Sequence, residues 1–233
     1  MKTLIIIPAY NEAENIENLI KELKFVCPFA DYLVVNDSSN DNSEEILQEL
    51  DANYMSNAVN LGIGGTVQAG YMYALKNGYE IAVQVDGDGQ HDISYLRKLI
   101  EPIEKGDADI VIGSRFIEKE GFQSSITRRL GINLLSVLIW ICTGVKVKDV
   151  TSGFRAVNKR FIQIYALDYP QDYPEPEAIV AAVMNKGRIK EIPVVMNERV
   201  GGVSSINLWK SVYYMIKVSM AIVICRISFG IRR

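Results

Sequence analysis

The sequence predicts an α/β protein in which helices flank a mostly parallel sheet, followed by an amphipathic helical extension at the C-terminus. Through residues 1–112, short runs rich in β-branched residues alternate with segments of helical spacing, and strands joined by helices of this length form parallel pairs. Apolar residues make up 48% of the chain and charged residues 23%, which suits a buried core and excludes disordered and collagen-like proteins. In residues 206–231, aromatic and aliphatic residues are interleaved with lysine and arginine.

Each predicted element has its own local signal. Residues 4–7 form an apolar run that Pro8 ends, and residues 12–26 carry apolar side chains at the spacing of one helix face. Turn-rich and glycine-rich stretches separate the segments that follow. In chain order these segments are a strand at 32–35, a helix at 43–50, a short strand near Tyr54, a glycine-rich loop at 62–65 followed by a helix to about residue 77, a strand at 81–85, a helix at 93–104 and a strand at 109–112.

No linker or low-complexity stretch divides the chain, so we expect one domain over residues 1–205 and an extension over residues 206–233. The formal net charge of −3 hides a division. Residues 1–127 contain 9 basic and 21 acidic side chains, whereas residues 128–233 contain 16 basic and 7 acidic ones. The basic half is expected to meet nucleic acid, a phosphorylated ligand or an anionic membrane surface, and a solvated basic surface is the alternative.

The cysteines and the apolar runs indicate the compartment. Cys27, Cys142 and Cys225 lie far apart in apolar stretches, which is typical of buried thiols in a cytosolic protein. The chain has one histidine, so a zinc site of Cys and His ligands is not expected. No segment offers about 18 uninterrupted apolar residues, and the apolar start is too short for a signal peptide. We therefore expect a cytoplasmic protein without a spanning helix.

An acidic motif, Asp-Gly-Asp-Gly-Gln-His at residues 86–91, directly follows a predicted buried strand. Two carboxylates separated by one glycine offer the hard oxygen ligands that Mg²⁺ and Mn²⁺ prefer. Asp86 and Asp88 are the expected ligands, and Gln90 would add a carbonyl oxygen or orient a metal-bound water. An ordinary Asp-Gly turn is the alternative.

Three other polar segments follow predicted strands or open a helix, at residues 8–12, 36–41 and 60–65. The carboxyl ends of parallel strands meet at one edge of a sheet, where the ligands of α/β proteins bind. The amides of the glycine-rich segment suit phosphate or ribose oxygens, although a helix entry without a ligand is the alternative. Together with the acidic motif, these segments predict a shared nucleotide site.

Taken in order, these motifs resemble family 2 glycosyltransferases of the GT-A fold, most closely the branch of dolichol-phosphate-mannose synthase and bacterial polyprenyl-phosphate glycosyltransferases. The resemblance extends over about residues 3–200. The motifs that carry it are Ile-Pro-Ala-Tyr-Asn-Glu, Asn-Asp-Ser-Ser-Asn-Asp, Asn-x-Gly-x-Gly, Asp-Gly-Asp-Gly-Gln-His, Gly-Ser-Arg at residues 113–115 and Asp-Val-Thr-Ser-Gly-Phe-Arg at residues 149–155.

The resemblance implies a nucleotide sugar at the strand ends, held through Mg²⁺ or Mn²⁺ on Asp86, Asp88 and Gln90. Ser38 stands where glycine is usual, and Ser205 stands where the mannose-synthase branch has a lysine. UDP-, GDP- and dTDP-linked donors therefore stay open. The implied donor-binding residues are Pro8, Ala9, Tyr10 and Glu12 at the base and ribose, Val35 and Asp37 at the base, Asp86, Gly87 and Asp88 at the ribose and metal, and Arg115 and Arg199 at the phosphates.

The basic half fits a membrane acceptor. Arg128 and Arg129 precede a mostly apolar segment at residues 130–144, which favours a helix in the membrane interface, with a buried core helix as the alternative. The helix at 206–231 is expected to bind the membrane or a small membrane protein, or to pack on the domain. The family branch uses polyprenyl phosphate, so we expect a peripheral enzyme on the inner face of the cell membrane, without a nucleic-acid partner.

The resemblance also implies an inverting, metal-dependent transfer with three candidate catalytic residues. Asp149 would act as a base or orient the acceptor, Arg155 would pair with Asp149 or bind phosphate, and Glu177 would face the acceptor. Glu175 is a further base candidate, and the prolines around it predict a rigid turn. A purely structural ion pair between Asp149 and Arg155 is the alternative. His91 is expected to touch the donor or to cap a helix.

Three other functions stay open from the sequence. Within the same fold, the chain could instead add a sugar to a lipid-linked or soluble cell-surface glycan. A sugar-1-phosphate nucleotidyltransferase would need a glycine-rich basic loop after the first strand, where residues 8–12 read Pro-Ala-Tyr-Asn-Glu. A non-catalytic scaffold would bind a membrane protein through the C-terminal helix and would keep its function without Asp88.

Overall fold

The computed structural model describes residues 1–118, 120–121, 126–197 and 208–231. Within these residues the strands are β1 (Thr3–Ala9), β2 (Asp31–Asn36), β3 (Tyr54–Ser56), β4 (Ile81–Gln84), β5 (Ile110–Ser114), β6 (Arg155–Asn158) and β7 (Ile189–Pro193). The helices are α1 (Ile16–Val26), α2 (Ser43–Glu49), α3 (Gly62–Lys76), α4 (Leu96–Glu104), α5 (Ile126–Thr143), α6 (Lys159–Leu167), α7 (Pro174–Met184) and α8 (Leu208–Ile231).

The described strands form one sheet in the order β3-β2-β1-β4-β6-β5-β7. Parallel pairs join β1 to β2, β1 to β4, β2 to β3 and β5 to β7. Only β6 runs against its described neighbours, β4 and β5. The structure therefore confirms the predicted α/β class with a mostly parallel sheet.

Helices cover the sheet on both faces, and β1 shows why. Every residue of β1 is buried, and its side chains alternate between two cores. Leu4 and Ile6 face residues of α3, α5, α6, α7 and α8, whereas Ile5 and Ile7 face residues of α1, α2 and α4. A strand that is buried on both faces needs apolar side chains at every position, which explains the unbroken run Leu-Ile-Ile-Ile.

The sequence analysis missed the elements between residues 155 and 193. β6 has four residues and begins and ends with polar side chains, so it lacks the pattern of a strand. The rigid turn predicted around Glu175 is wrong, because α7 begins at Pro174. Proline is accepted in the first turn of a helix, where its missing N–H has no partner within the helix.

The C-terminal helix packs onto the domain. The ring of Tyr214 meets that of Tyr173 edge-on at 4.5 Å between centroids, and the Arg226 Nε donates to the Cys142 carbonyl oxygen at 2.8 Å. The predicted boundary between domain and extension falls among residues 198–207, which lie outside the described residues. Across the described ranges, every helix is too short or too polar to cross a bilayer.

Candidate active site

The polar segments after β1, β2 and β4 lie side by side at one edge of the sheet. The Asp37 N–H donates to the Ala9 carbonyl oxygen at 2.8 Å. A Cβ placed on Gly87 would lie 3.1 Å from the Pro8 carbonyl oxygen and 3.3 Å from the Glu12 Cγ. These contacts bring the predicted segments together as the sequence analysis expected. The strand-end site, as we name it, consists of residues 8–12, 36–41, 60–65 and 86–91.

Asp37 holds the glycine-rich segment against the end of β2. Its Oδ1 accepts hydrogen bonds from the Asn57 Nδ2 and the Leu61 N–H, both at 2.8 Å, and its Oδ2 accepts one from the Gly62 N–H at 2.9 Å. The carboxylate thus satisfies N–H groups at the start of α3, which have no partner within the helix. Val35, just before it, is fully buried in the core. Contact of either residue with a base stays a prediction.

The segment after β1 offers one open aromatic ring. Pro8 and Ala9 are buried, whereas Tyr10 is 46% exposed. Glu12 is half-buried, and its Oε2 accepts a hydrogen bond from the Asn15 Nδ2 at 3.0 Å. A ligand at this edge would therefore meet the Tyr10 ring and the backbone of the buried residues. The predicted base and ribose contacts of these residues stay predictions.

Two turns at the strand-end site use a left-handed backbone without glycine. Asn11 has a φ of +56° and Ser38 a φ of +58°, which costs a residue with a Cβ about 1–2 kcal/mol. Hydrogen bonds hold the turns together: the Asn11 N–H donates to the Ser39 Oγ at 3.0 Å, and the Asn40 N–H donates to the Asn11 Oδ1 at 2.8 Å. Ser38 therefore keeps the conformation that a glycine would adopt, at some strain.

The acidic motif forms a tight loop after β4. Asp88 is 7% exposed, and its Oδ1 accepts the Gln90 N–H at 3.1 Å, whereas Asp86 is half-buried. In the described part of the chain, no group of three or more His, Cys, Asp and Glu residues could hold a metal alone. Two carboxylates and one amide suit Mg²⁺ or Mn²⁺ that also binds substrate phosphates and water. Metal binding by these residues stays a prediction.

His91 lies beneath this loop and does not cap the following helical turn. That position belongs to Asp92, whose Oδ1 accepts the Ser94 N–H at 3.0 Å, so the capping expectation for His91 is wrong. The His91 Nδ1 instead accepts the Asp86 N–H at 3.0 Å. Contact of His91 with a donor stays a prediction.

Asp149 is paired with Arg115 and is fully buried. The Arg115 Nε and one terminal nitrogen donate to the two Asp149 carboxylate oxygens, both at 2.7 Å, and the Arg115 N–H adds a third bond at 3.1 Å. Burial alone would lower the pKa of Arg115, but the hydrogen bonds to Asp149 outweigh it and raise the pKa. The expected pair of Asp149 with Arg155 is wrong, because Asp149 pairs with Arg115 and the Arg155 guanidinium donates to backbone carbonyl oxygens instead.

Arg155 lies in a separate buried polar cluster. Its Nε and one terminal nitrogen donate to the Ser152 carbonyl oxygen at 3.2 and 2.6 Å, and the other terminal nitrogen donates to the Glu175 carbonyl oxygen at 3.3 Å. The side chain is 1% exposed, and these hydrogen bonds link the start of β6 to the start of α7. The tyrosines near it are Tyr71, Tyr165 and Tyr169.

The two glutamates of α7 face different surroundings. Burial raises the pKa of Glu175, while the charge of Arg155 partly offsets the shift. Glu177 is half-buried, and burial followed by repulsion from neighbouring aspartates raises its pKa. Glu177 lines a cavity of about 210 Å³ against α8, together with Asp172 and Lys217. The structure therefore places Glu175 towards Arg155 and Glu177 towards the C-terminal helix.

Sequence reasoning missed three residues that hold these groups. Gln84 donates to the Asp86 carboxylate, and Gly153 leaves room for that carboxylate, because a Cβ there would lie 2.8 Å from the Asp86 Oδ2. The Glu191 carboxylate accepts the N–H groups of Lys148 and Asp149. A polar side chain at the end of the apolar strand β4 was a usable signal for Gln84. Glu191 had none, because it approaches from the distant strand β7. Arg199, predicted at the phosphates, lies outside the described residues.

The outer faces of α5 and α8 are apolar. On its inner face, α8 is apolar as well, because Val218 and Ile222 are buried in the core. The exposed side chains follow the i, i+4, i+7 spacing of one helix face, so each helix presents an apolar stripe to solvent. We call this surface the α5–α8 face. Its exposed side chains are Leu130, Leu134, Val137, Trp140, Ile141, Tyr213, Ile216, Met220, Val223, Ile224 and Ile227.

Comparison with known proteins decides the family. The model of Glycosyl transferase family 2 matches residues 4–164, which include β1 to β6 and the whole strand-end site. The chain belongs to this family. It is therefore a glycosyltransferase, and its sheet with flanking helices is the GT-A fold that the motifs implied.

Two relatives are similar to the chain in sequence, and one solved structure is similar to it in fold. Polyprenol monophosphomannose synthase of Mycolicibacterium smegmatis is 29% identical over 88% of this chain and 81% of the relative. The UDP-N-acetylglucosamine–dolichyl-phosphate N-acetylglucosaminyltransferase of Methanococcus voltae is 31% identical over 82% of this chain and 83% of the relative. Glucosyl-3-phosphoglycerate synthase of Mycobacterium tuberculosis, crystallised with Mn²⁺, UDP-glucose and phosphoglyceric acid, superposes with a TM-score of 0.74 at 18% identity, over 97% of this chain and 79% of that one. This likeness concerns the fold.

Proposed function

We propose that this glycosyltransferase moves a sugar from a nucleotide-sugar donor to polyprenyl phosphate at a membrane surface, with inversion and with Mg²⁺ or Mn²⁺. The observation that carries the proposal is the position of the start of α7 between two surfaces. On one side, Arg155, which lies opposite Gln84 of β4, donates to the Glu175 carbonyl oxygen at 3.3 Å. On the other side, the ring of Tyr173 meets that of Tyr214 of α8 with 4.5 Å between centroids. A donor at the acidic edge and a lipid at the apolar helices would therefore meet near the start of α7.

The relatives support the acceptor class and leave the donor open. The names of the two relatives specify mannose in one case and N-acetylglucosamine in the other, with polyprenol or dolichyl phosphate in common. The solved structure was crystallised with Mn²⁺ and UDP-glucose, which supports use of a divalent metal. UDP-, GDP- and dTDP-linked donors are the candidates to be tested.

The strand-end site would hold the donor. Asp86, Asp88 and Gln90 supply oxygen ligands for a metal, which when bound stabilises the charge of the leaving nucleoside diphosphate. Gly87 lies so close to the backbone of β1 that a side chain there would crowd the site. Arg115, oriented by its carboxylate partner, would compensate phosphate charge, and we assign the same role to Arg199.

The acceptor phosphate would attack the anomeric carbon from the face opposite the diphosphate. A phosphate monoester has a second pKa of about 6, so it is largely ionised at neutral pH and needs little help from a base. We therefore assign Asp149 the task of orienting Arg115, since its carboxylate oxygens are already bonded. Arg155 would position α7, and Glu177 would face the acceptor. Positioning and charge compensation then supply most of the rate.

The α5–α8 face would dock on the cytoplasmic leaflet. Burying one large aliphatic side chain contributes about 1.5–3 kcal/mol, so a few of the exposed residues suffice for reversible binding. Arg128 and Arg129, at the start of α5, would lie at the lipid headgroups, where each basic residue adds about 1 kcal/mol. The same face would suit a small membrane protein as a further partner.

The test is sugar transfer to undecaprenyl phosphate in vesicles of phosphatidylcholine and phosphatidylglycerol. A panel of UDP-, GDP- and dTDP-sugars is assayed with Mn²⁺, with Mg²⁺ and with EDTA. We expect a lipid-phosphate sugar from at least one donor and loss of the product in EDTA. In the Asp88→Asn variant, transfer should fall about 100-fold or more, because the variant loses a charged metal ligand.

Three outcomes would contradict the proposal. Transfer to an oligosaccharide and to no lipid phosphate would support the glycan alternative. Full activity in EDTA would remove the metal from the mechanism. Retained configuration at the anomeric carbon, read by NMR of the product, would exclude inversion.

A further inference from the structure

Three residues outside the expected ligand set enclose the Asp86 side chain. Gln84, the last residue of β4, donates from its Nε2 to the Asp86 Oδ1 at 3.0 Å. The His91 Nε2 lies 3.6 Å from the Asp86 Oδ2. A Cβ placed on Gly153 would lie 2.8 Å from the Asp86 Oδ2 and 3.0 Å from its Oδ1. The carboxylate is therefore bounded on several sides before any ligand binds.

Gln84 is an unusual residue for its place. It is completely buried, and the rest of β4 is apolar. A buried amide is costly unless its polar atoms are bonded, and its Oε1 has no hydrogen-bond partner among the described atoms. The bond from its Nε2 to Asp86 is therefore the contact that orients this amide. Gln84 therefore occupies a core position, and its side chain bonds to Asp86.

His91 fixes the same residue through the backbone. Its ring is 6% exposed and stacks on Phe154, with 4.7 Å between ring centroids and 13° between planes. The Nδ1 accepts the Asp86 N–H at 3.0 Å, so in the neutral ring the proton is on Nε2. Nε2 faces the Asp86 carboxylate at a distance longer than a hydrogen bond. The ring thus anchors the loop to Phe154 of the sheet.

We propose that Gln84 and His91 are positioning residues that hold the Asp86 carboxylate in its metal-binding orientation before the metal and the donor arrive. The inference rests on the proposed function, which makes Asp86 a metal ligand. Asp86 is half-buried, and without these contacts its side chain would explore several rotamers in solvent. Substitution of residues that orient metal ligands typically lowers metal affinity about 10–100-fold.

The test measures the Mn²⁺ affinity of the full chain from the electron paramagnetic resonance signal of free Mn²⁺, without donor and with UDP or GDP. Gln84→Leu keeps the apolar volume and removes the donor. His91→Phe keeps a ring for stacking and removes the acceptor. We expect each to weaken Mn²⁺ binding about 10-fold or more. Gly153→Ala should weaken it as well, because the new Cβ displaces the carboxylate.

His91→Asn separates positioning from general stability. Its Oδ1 can take the place of Nδ1 as acceptor for the Asp86 N–H, while the stacking on Phe154 is lost. We expect Mn²⁺ affinity within about threefold of the wild type, since the backbone anchor is kept, together with a lower melting temperature than His91→Phe. If Mn²⁺ affinity follows melting temperature in these two variants, His91 has only a structural role and the proposal is wrong for it.

Asn158→Ala is the matched control at the other end of the same strand pair. Asn158 lies opposite Ile81 in the β4–β6 pair, whereas Arg155 lies opposite Gln84. The side chain of Asn158 caps α6. The variant should lower the melting temperature and leave Mn²⁺ affinity unchanged. If Gln84→Leu and His91→Phe bind Mn²⁺ as tightly as the wild type, the positioning role is wrong. That result would not contradict the proposed sugar transfer. A wild-type chain that neither binds Mn²⁺ nor transfers sugar would instead overturn the proposed function.

Discussion

The strand-end site and the α5–α8 face differ in how their side chains are held. At the strand-end site, the carboxylates of Asp37, Asp86 and Asp88 accept hydrogen bonds from neighbouring side chains or backbone. On the α5–α8 face, side chains such as Ile141 and Ile224 are 70% and 61% exposed. One region is a preorganised polar site, and the other is an exposed apolar surface.

The difference indicates two kinds of ligand. A nucleotide with a metal has fixed geometry, so a site for it gains from groups that are oriented in advance. A bilayer has no fixed geometry, so a surface for it needs apolar area and few specific contacts. Substitutions should therefore act on the strand-end site through geometry and on the α5–α8 face through area.

Breaking the buried ion pair next to the strand-end site should have the largest effect. Asp149→Asn leaves the Arg115 guanidinium buried without its charged partner, and removal of one partner of such a pair costs about 3–5 kcal/mol. Urea unfolding of the wild type and the variant measures the loss. Adding Arg115→Met to Asp149→Asn should recover part of it. A loss below about 1 kcal/mol would show that the site does not depend on this pair.

Charging the α5–α8 face should weaken membrane binding with little effect on folding. Ile141→Glu and Ile224→Glu each remove about 2 kcal/mol of apolar burial, which predicts about 30-fold weaker binding to anionic vesicles in a sedimentation assay. Leu167→Glu is the matched control, since Leu167 is 82% exposed on α6. Equal losses in all three variants would show that the face has no special role.

The pH dependence of stability should report on the residue between the two regions. Burial raises the pKa of Glu175 in the folded state, so its contribution is fully present below its unfolded pKa of about 4.3 and is lost as the pH rises through the folded pKa. Glutamine does not ionise, so the Glu175→Gln variant does not lose this stability as the pH rises. The free energy of unfolding of the variant, relative to the wild type, should increase between pH 4 and pH 8.

Glu177→Gln provides the comparison for this measurement. Both glutamates are half-buried by exposed area, but Glu177 is surrounded by less protein than Glu175. We therefore expect the relative stability of Glu177→Gln to rise less with pH than that of Glu175→Gln. Chemical unfolding at several pH values gives both curves. Parallel curves for the two variants would show that burial of Glu175 does not govern the effect.

The smallest effect concerns strain at the strand-end site. Ser38→Gly relieves the cost of a positive φ, about 1–2 kcal/mol, against about 0.5–1 kcal/mol of added entropy in the unfolded chain. We expect a net gain of about 0.5–1 kcal/mol in urea unfolding. Ser39→Gly should lower stability, because the Ser39 Oγ accepts the Asn11 N–H. A loss of stability in Ser38→Gly would show that its side chain contributes more than the strain costs.

Much of the strand-end site could be predicted from sequence because its residues follow strands with strong apolar patterns. Parallel strands bring their carboxyl ends together whatever the details of packing, so the segment of Asp86 and Asp88 was placed correctly beside those of Pro8 and Asp37. The pairing of Asp149 could not be predicted. The sequence analysis offered only Arg155, six residues away, whereas the partner in the structure is Arg115, 34 residues away. The pairing of β5 with β6 brings these distant segments together.

The sequence by itself determined the α/β class, the family and the edge of the sheet that carries the acidic motif, because these follow from local apolar patterns and from motif order. Only the tertiary structure decided that β6 inserts antiparallel between β4 and β5, which carries Gly153 to Asp86 and Arg155 to α7. It also decided that α8 buries one apolar face and exposes another. Contacts between distant segments depend on strand register and helix packing, and neither is encoded in a local pattern.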